Sequence, residues 1–160
     1  MKLKKGDRLP DAKVFVLEKD PKEVTIKSVI GNEKAILFGV PGAFTPTCSA
    51  KHLPGFLSST EELKRKEIKQ VICISINDPF VMDAWGKAHN VGTKILMIAD
   101  YKGSFTRNIG AELNLNHRGL GIRSSRYTML VDKGNVLKIS EEEVAGKCEV
   151  TAAENFLKEI

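Results

Sequence analysis

Cys48 is the side chain of this sequence best placed for nucleophilic chemistry. The stretch Gly39-Val40-Pro41-Gly42-Ala43-Phe44-Thr45-Pro46-Thr47-Cys48 follows an apolar run, Ala35-Ile36-Leu37-Phe38, that reads as a buried strand. A strand that ends in a Pro/Gly loop and opens a helix places its first helical residues at the carboxyl edge of a sheet, where open α/β sheets hold their sites. Thr45 suits the N-cap and Pro46 the first helical position, so Cys48 falls in the first turn. Free backbone N–H groups and the positive helix end favour an anion there, and the thiolate is the reactive form of cysteine. The competing reading is a small, buried, inert cysteine. His52 lies four residues on, along the same helix face. Two ligands without a third do not make a structural metal site, so no metal is expected.

The surrounding residues decide between the two readings. The block Gly39 to Phe56, GVPGAFTPTCSAKHLPGF, resembles the peroxiredoxins, and most closely the type II, peroxiredoxin-five-type subfamily. The similarity continues through Ile74-Ser75-Ile76-Asn77-Asp78, Ala84-Trp85-Gly86, Ala99-Asp100 and Gly121 to Tyr127. It implies a thioredoxin-like fold, a central mixed β-sheet flanked by helices, and reduction of hydrogen peroxide or alkyl hydroperoxides by Cys48 through a sulfenic acid. It implies no cofactor.

The same resemblance assigns roles. Thr45 matches the threonine of the active-site motif, whose hydroxyl can link thiolate and peroxide. Arg126, directly before Tyr127, matches the arginine that faces both; Arg123 in the same stretch is the alternative. Pro41 matches the proline that shields the pocket and His52 a histidine near it; Phe44 reads as a packing residue that can also line a hydrophobic mouth suited to alkyl hydroperoxides. Cys148 lies about two residues from where some members carry a resolving cysteine, while plant-like members have none there and use glutathione and glutaredoxin. Both routes stay open, with glutathione, glutaredoxin or thioredoxin as reductant. A homodimer is implied as well. The other reading is a redox sensor or chaperone-like interaction protein on the same scaffold; a disulfide oxidoreductase is disfavoured because no Cys-x-x-Cys is present.

Composition narrows the class. The 160 residues suit one domain. No stretch approaches the roughly 20 apolar residues of a membrane span. The start, Met1-Lys2-Leu3-Lys4-Lys5, lacks the apolar core of a signal peptide. Cys48, Cys73 and Cys148 form no disulfide framework and point to a reducing, intracellular compartment, either cytoplasm or, if a presequence was removed, mitochondrion or plastid. The net charge of +5 is scattered among acidic residues, and 6% aromatic residues are too few for nucleic-acid stacking. Neither nucleic acid nor membrane is expected as a partner.

These residues must be held by an α/β framework. Strands are predicted at 12–17, 24–26, 35–40, 71–76 and 95–98, with a hairpin of 127–131 and 136–139. Helices are predicted over 46–66, bent before Pro54, and over 79–89, 104–109 and 151–160, the last capped by Thr151. Residues 114–125, rich in Gly, Asn and Arg, read as a loop. Cys73 reads as core, Cys148 as exposed among charges, and Trp85 and Phe80 as packing residues.

Overall fold

The computed structural model describes residues 1–160. Its centre is a seven-stranded sheet built from β1 (Lys13–Leu17), β2 (Pro21–Thr25), β3 (Lys34–Gly39), β4 (Gln70–Ser75), β5 (Leu96–Ala99), β8 (Tyr127–Asp132) and β9 (Asn135–Glu141) in the order β2-β1-β5-β4-β3-β8-β9. The β3–β4 and β4–β5 pairs are parallel, while β1–β2, β1–β5, β3–β8 and β8–β9 are antiparallel. Alternation along the central strands divides the apolar residues between two cores. Ile36, Phe38, Val71 and Cys73 face one side with Leu53, Phe56, Met82, Trp85 and Phe156. Leu37, Ile72 and Ile74 face the other with Ile26, Ile30 and Phe105. The helices are α1 (Ile26–Ile30), α2 (Leu53–Leu57), α3 (Thr60–Arg65), α4 (Pro79–Ala88), α5 (Ser104–Asn108) and α6 (Ala153–Lys158). This mixed sheet with helices on both faces is the expected thioredoxin-like arrangement.

Four elements depart from the sequence reading. The helix predicted over 46–66 starts at Pro46, but Cys48–His52 is a π-helical turn, and Ser58 and Ser59 separate α2 from α3. Pro54 has no N–H to continue the ladder, and the Leu53 N–H reaches back five residues to the Cys48 carbonyl, which is the π pattern. The loop expected at 114–125 is a two-stranded hairpin, β6 (Glu112–Leu115) and β7 (Gly121–Ser124), joined through a 3₁₀ turn at Asn116–Arg118. Helix α1 went unread because Thr25 and Ser28 form a capping box just where a strand was expected to end. Helix α6 begins at Ala153 with Ala152 as its cap, because the Thr151 hydroxyl turns inward to Glu142 instead.

The β8–β9 turn carries Lys133 and Gly134 at positive φ, the backbone of a tight hairpin. Phe80, read as packing, stands 60% exposed at the start of α4, whereas Trp85 one turn later is fully buried.

Candidate active site

The register of the sheet explains how residues far apart in sequence meet. Strand β8 runs antiparallel to β3, and Tyr127 pairs with Gly39. Arg126 therefore stands beside the loop that leaves β3. That loop is pinned from β4's end: the Asn77 side chain accepts from the Ala43 N–H (3.0 Å) and from the Ser75 hydroxyl (2.7 Å). Beyond it, Trp85 Nε1 donates to Ser49 Oγ at 3.0 Å, tying α4 to the residue after Cys48.

Cys48 is the third residue of the helical run, as expected, and is fully buried. Arg126 Nη2 donates to Cys48 Sγ at 3.2 Å. The guanidinium is permanently charged and its donors lie in one plane, so the sulfur faces a fixed cation. Arg126 is itself buried, and most of its other donors are occupied. Nε and Nη2 reach the Ala145 carbonyl at 3.3 and 3.0 Å, and Nη1 reaches His52 Nδ1 at 3.1 Å. Arg123 is not part of this group; it donates to the carbonyls of Leu120 and Ile76.

The hydrogen bonds fix the state of His52. Arg126 can only donate, so Nδ1 accepts and the proton sits on Nε2. Nε2 then donates to Thr128 Oγ1 (3.0 Å), whose hydroxyl donates to the Thr151 carbonyl (2.8 Å). Burial, and then the Arg126 charge, hold the imidazole well below its ordinary range. His52 is thus a neutral acceptor that orients the arginine.

Thr45 departs from its expected use as a cap. Its hydroxyl donates to the Gly42 carbonyl at 2.7 Å, within the loop, while its own carbonyl accepts from the Ser49 N–H. The hydroxyl oxygen keeps lone pairs for a donor in the cleft. That cleft has a volume of about 460 Å³. Pro41, Phe44, Thr45 and Arg126 all line it, joined by Leu115 and Leu120 from the β6–β7 hairpin. Phe44 is 55% exposed and lies at φ +62°, a backbone region that non-glycine residues seldom adopt and that costs on the order of 1–3 kcal/mol. The strain holds an aromatic ring at the rim instead of in the core.

The remaining cysteines are both buried. Cys73 lies in the core, where burial pushes its thiol well above the ordinary range. Cys148, expected to be exposed, is only 3% exposed. It belongs to a strap closed by Glu142, whose Oε1 accepts from the Glu149 N–H (2.6 Å), the Thr151 N–H (2.9 Å) and the Thr151 hydroxyl (2.8 Å). The Thr151 hydroxyl also lies 3.8 Å from Cys148 Sγ. Burial raises the Cys148 thiol, while the bonds from Thr151 and Glu149 lower the Glu142 carboxyl against its own burial. The same strap touches the site twice, through the Ala145 carbonyl on Arg126 and the Gly146 carbonyl, which accepts from Thr47 Oγ1 at 3.0 Å. Sequence reasoning did not find Glu142, Thr128 or Thr151 as parts of this network. Their types alone gave no signal, because each works through a fold contact.

The Redoxin family matches residues 4–157. Peroxiredoxin-2D of Arabidopsis thaliana is 46% identical over 155 residues, covering 96% of this chain and 95% of that protein. The chain belongs to the peroxiredoxins. Chloroplastic peroxiredoxin-2E of the same plant is also 46% identical, over 96% of this chain and 67% of that protein. The crystal structure of reduced Prx3 from Vibrio vulnificus in complex with hydrogen peroxide superposes with a TM-score of 0.91 at 38% identity, covering 98% of each chain. As a peroxiredoxin this protein is a thiol-dependent peroxidase, and the Arg126–Cys48 pair lies where its cleft meets the buried sulfur.

Proposed function

We propose that this peroxiredoxin reduces hydrogen peroxide and alkyl hydroperoxides at Cys48. The observation that carries the reading is the 3.2 Å contact from Arg126 Nη2 to Cys48 Sγ, with His52 fixing the other arm of the guanidinium. The thiolate attacks the terminal oxygen of the hydroperoxide, and the O–O bond breaks. Sulfur gains the hydroxyl as a sulfenic acid, losing two electrons; the other oxygen leaves as an alkoxide or hydroxide and takes a proton from water. Arg126 sits where it can stabilise charge on both the sulfur and the leaving oxygen. Thr45 holds the peroxide from the cleft side, Pro41 keeps water from the sulfur, and Phe44 receives an alkyl group.

Regeneration follows one of two routes. In the first, Cys148 attacks the sulfenic acid, which forms a disulfide, releases water and leaves thioredoxin as reductant. The strap must open for this, since both thiols are buried. In the second, glutathione takes that part and glutaredoxin completes the cycle. The protein acts as a single domain in a homodimer; the chloroplastic relative puts the plastid among the compartments to examine, beside cytoplasm and mitochondrion. No helix of the chain is long and apolar enough to cross a membrane.

Intact mass after one equivalent of peroxide tests both levels. Loss of two hydrogens in wild type but not in Cys148→Ser identifies the disulfide route. Gain of one oxygen in both, or a glutathione adduct when glutathione is present, identifies the second. Cys48→Ser should abolish either change and all peroxide turnover while the fold persists. Unaltered mass in wild type would sink the peroxidase reading of Cys48.

A further inference from the structure

The cleft above Cys48 is larger than hydrogen peroxide needs, and its lining has a definite chemistry. A water's share of the liquid is about 30 Å³, so a two-oxygen peroxide leaves most of the 460 Å³ empty. The lining is apolar at Pro41, Phe44, Pro46, Leu115 and Leu120. Its polar groups include two arginines, Arg126 and Arg118, and no carboxylate. The two arginines differ. Arg126 is buried and bonded to Cys48, His52 and Ala145. Arg118 is exposed in the 3₁₀ turn of the β6–β7 hairpin, and its side chain enters no ion pair.

We propose that Arg118 selects for apolar hydroperoxides that carry a carboxylate. The O–O group reaches Arg126 and Cys48, the hydrocarbon lies along Phe44, Leu115 and Leu120, and the carboxylate meets the free guanidinium, a geometry a planar fork binds well. A carboxylated thiol such as glutathione shares the anionic chemistry. The apolar lining favours the hydroperoxide, because a peptide's polar backbone would be desolvated against Phe44 and the leucines without partners. This assignment rests on the peroxidase reading above and names the substrate class of that site.

The test compares two substrates that differ only in charge: 13-hydroperoxyoctadecadienoic acid and its methyl ester, below their micelle concentrations. Wild type should show a higher kcat/KM for the acid, expressed in KM, and the acid-to-ester ratio should fall about 1.5-fold to fivefold in Arg118→Ala, the size an exposed ion pair gives. Arg118→Lys should keep part of the preference, and added salt should erode it in wild type. An equal ratio in wild type and Arg118→Ala overturns the proposal, as does an equal loss with acid and ester. A change confined to the reduction step, seen with glutathione and not with uncharged 2-mercaptoethanol, would assign Arg118 to the thiol and also overturn it. A wild-type chain that turns over neither hydrogen peroxide nor the ester would fail at the level of the peroxidase reading itself.

Discussion

At the scale of single residues, the site works by fixing protonation states through geometry. His52 is the clearest case. It is buried between a cation that can only donate and a hydroxyl, so it is neutral in the folded protein. Its folded pKa lies below the ordinary value near 6.5, and the unfolded chain therefore binds more protons once the pH falls below that value. Stability should decline as pH drops from about 6.5, by up to roughly 1.4 kcal/mol per pH unit for the one proton. Urea unfolding between pH 7 and pH 5 checks this. His52→Gln, which can still accept from Arg126, should flatten the slope in that window; an unchanged slope would show that other groups carry it. The residue types were readable in the sequence: Cys48 in a first helical turn, His52 one turn on and Arg126 before Tyr127 all lie together in the fold. What could not be read was the use of each atom. Thr45 donates to its own loop, Thr151 abandons the cap it was assigned, and both choices depend on acceptors that only the fold brings near.

At the scale of elements, the strap from Glu142 to Thr151 joins the chemistry to the rest of the chain. One carboxylate oxygen accepts three hydrogen bonds that close it, and the strap's carbonyls then bind Arg126 and Thr47. The run Glu141-Glu142-Glu143 looks like a solvated face, which is why Cys148 was expected outside. The middle carboxylate instead turns in and is 92% removed from solvent, since its exposure is 8%. The short hairpin at 112–124 was hidden for a similar reason: its Gly and Asn residues read as loop, while Leu113, Leu115 and Ile122 are too few to reveal alternation. Glu142→Ala removes a charged acceptor of three bonds, and hydrogen bonds to charged groups contribute about 1.5–3 kcal/mol. We expect a stability loss of about 2 kcal/mol and faster reaction of Cys148 with a thiol reagent in a Cys48→Ser background. Because the native pKa of Glu142 is lowered, its contribution is present above the ordinary carboxyl range and is lost as pH falls below that range and through the lowered folded value. Unchanged labelling of Cys148 would mean that the strap stays closed without this carboxylate.

At the scale of the molecule, one point of contact couples the core to the reactive sulfur. The sheet's pairing of Gly39 with Tyr127 sets the end of β3 against the start of β8, and with it the Cys48 loop against Arg126. The contact is tight. A Cβ on Gly39 would stand 2.2 Å from the Tyr127 ring, so glycine is required here for space, not for its φ. Tyr127 is fully buried, and its hydroxyl is the only buried side-chain N or O atom without a partner; the ring is held by packing alone. Gly39→Ala must therefore displace either the strand or the ring. Overpacking of this kind costs typically 1–3 kcal/mol, and a shift of the β8 backbone would carry Arg126, the residue before Tyr127, with it. Gly39→Ala should lower both the melting temperature and the rate of Cys48 oxidation. Ile30→Ala, in the core on the other face of the sheet, should lower stability and leave the rate per folded molecule near wild type. The decisive comparison is Gly39→Ala combined with Tyr127→Val. Removing the ring opens the space that the new methyl needs, so the pair should be less destabilised than the sum of the two single changes. Strict additivity would show that Gly39 and Tyr127 do not press on each other, and that the route from core packing to the arginine runs elsewhere.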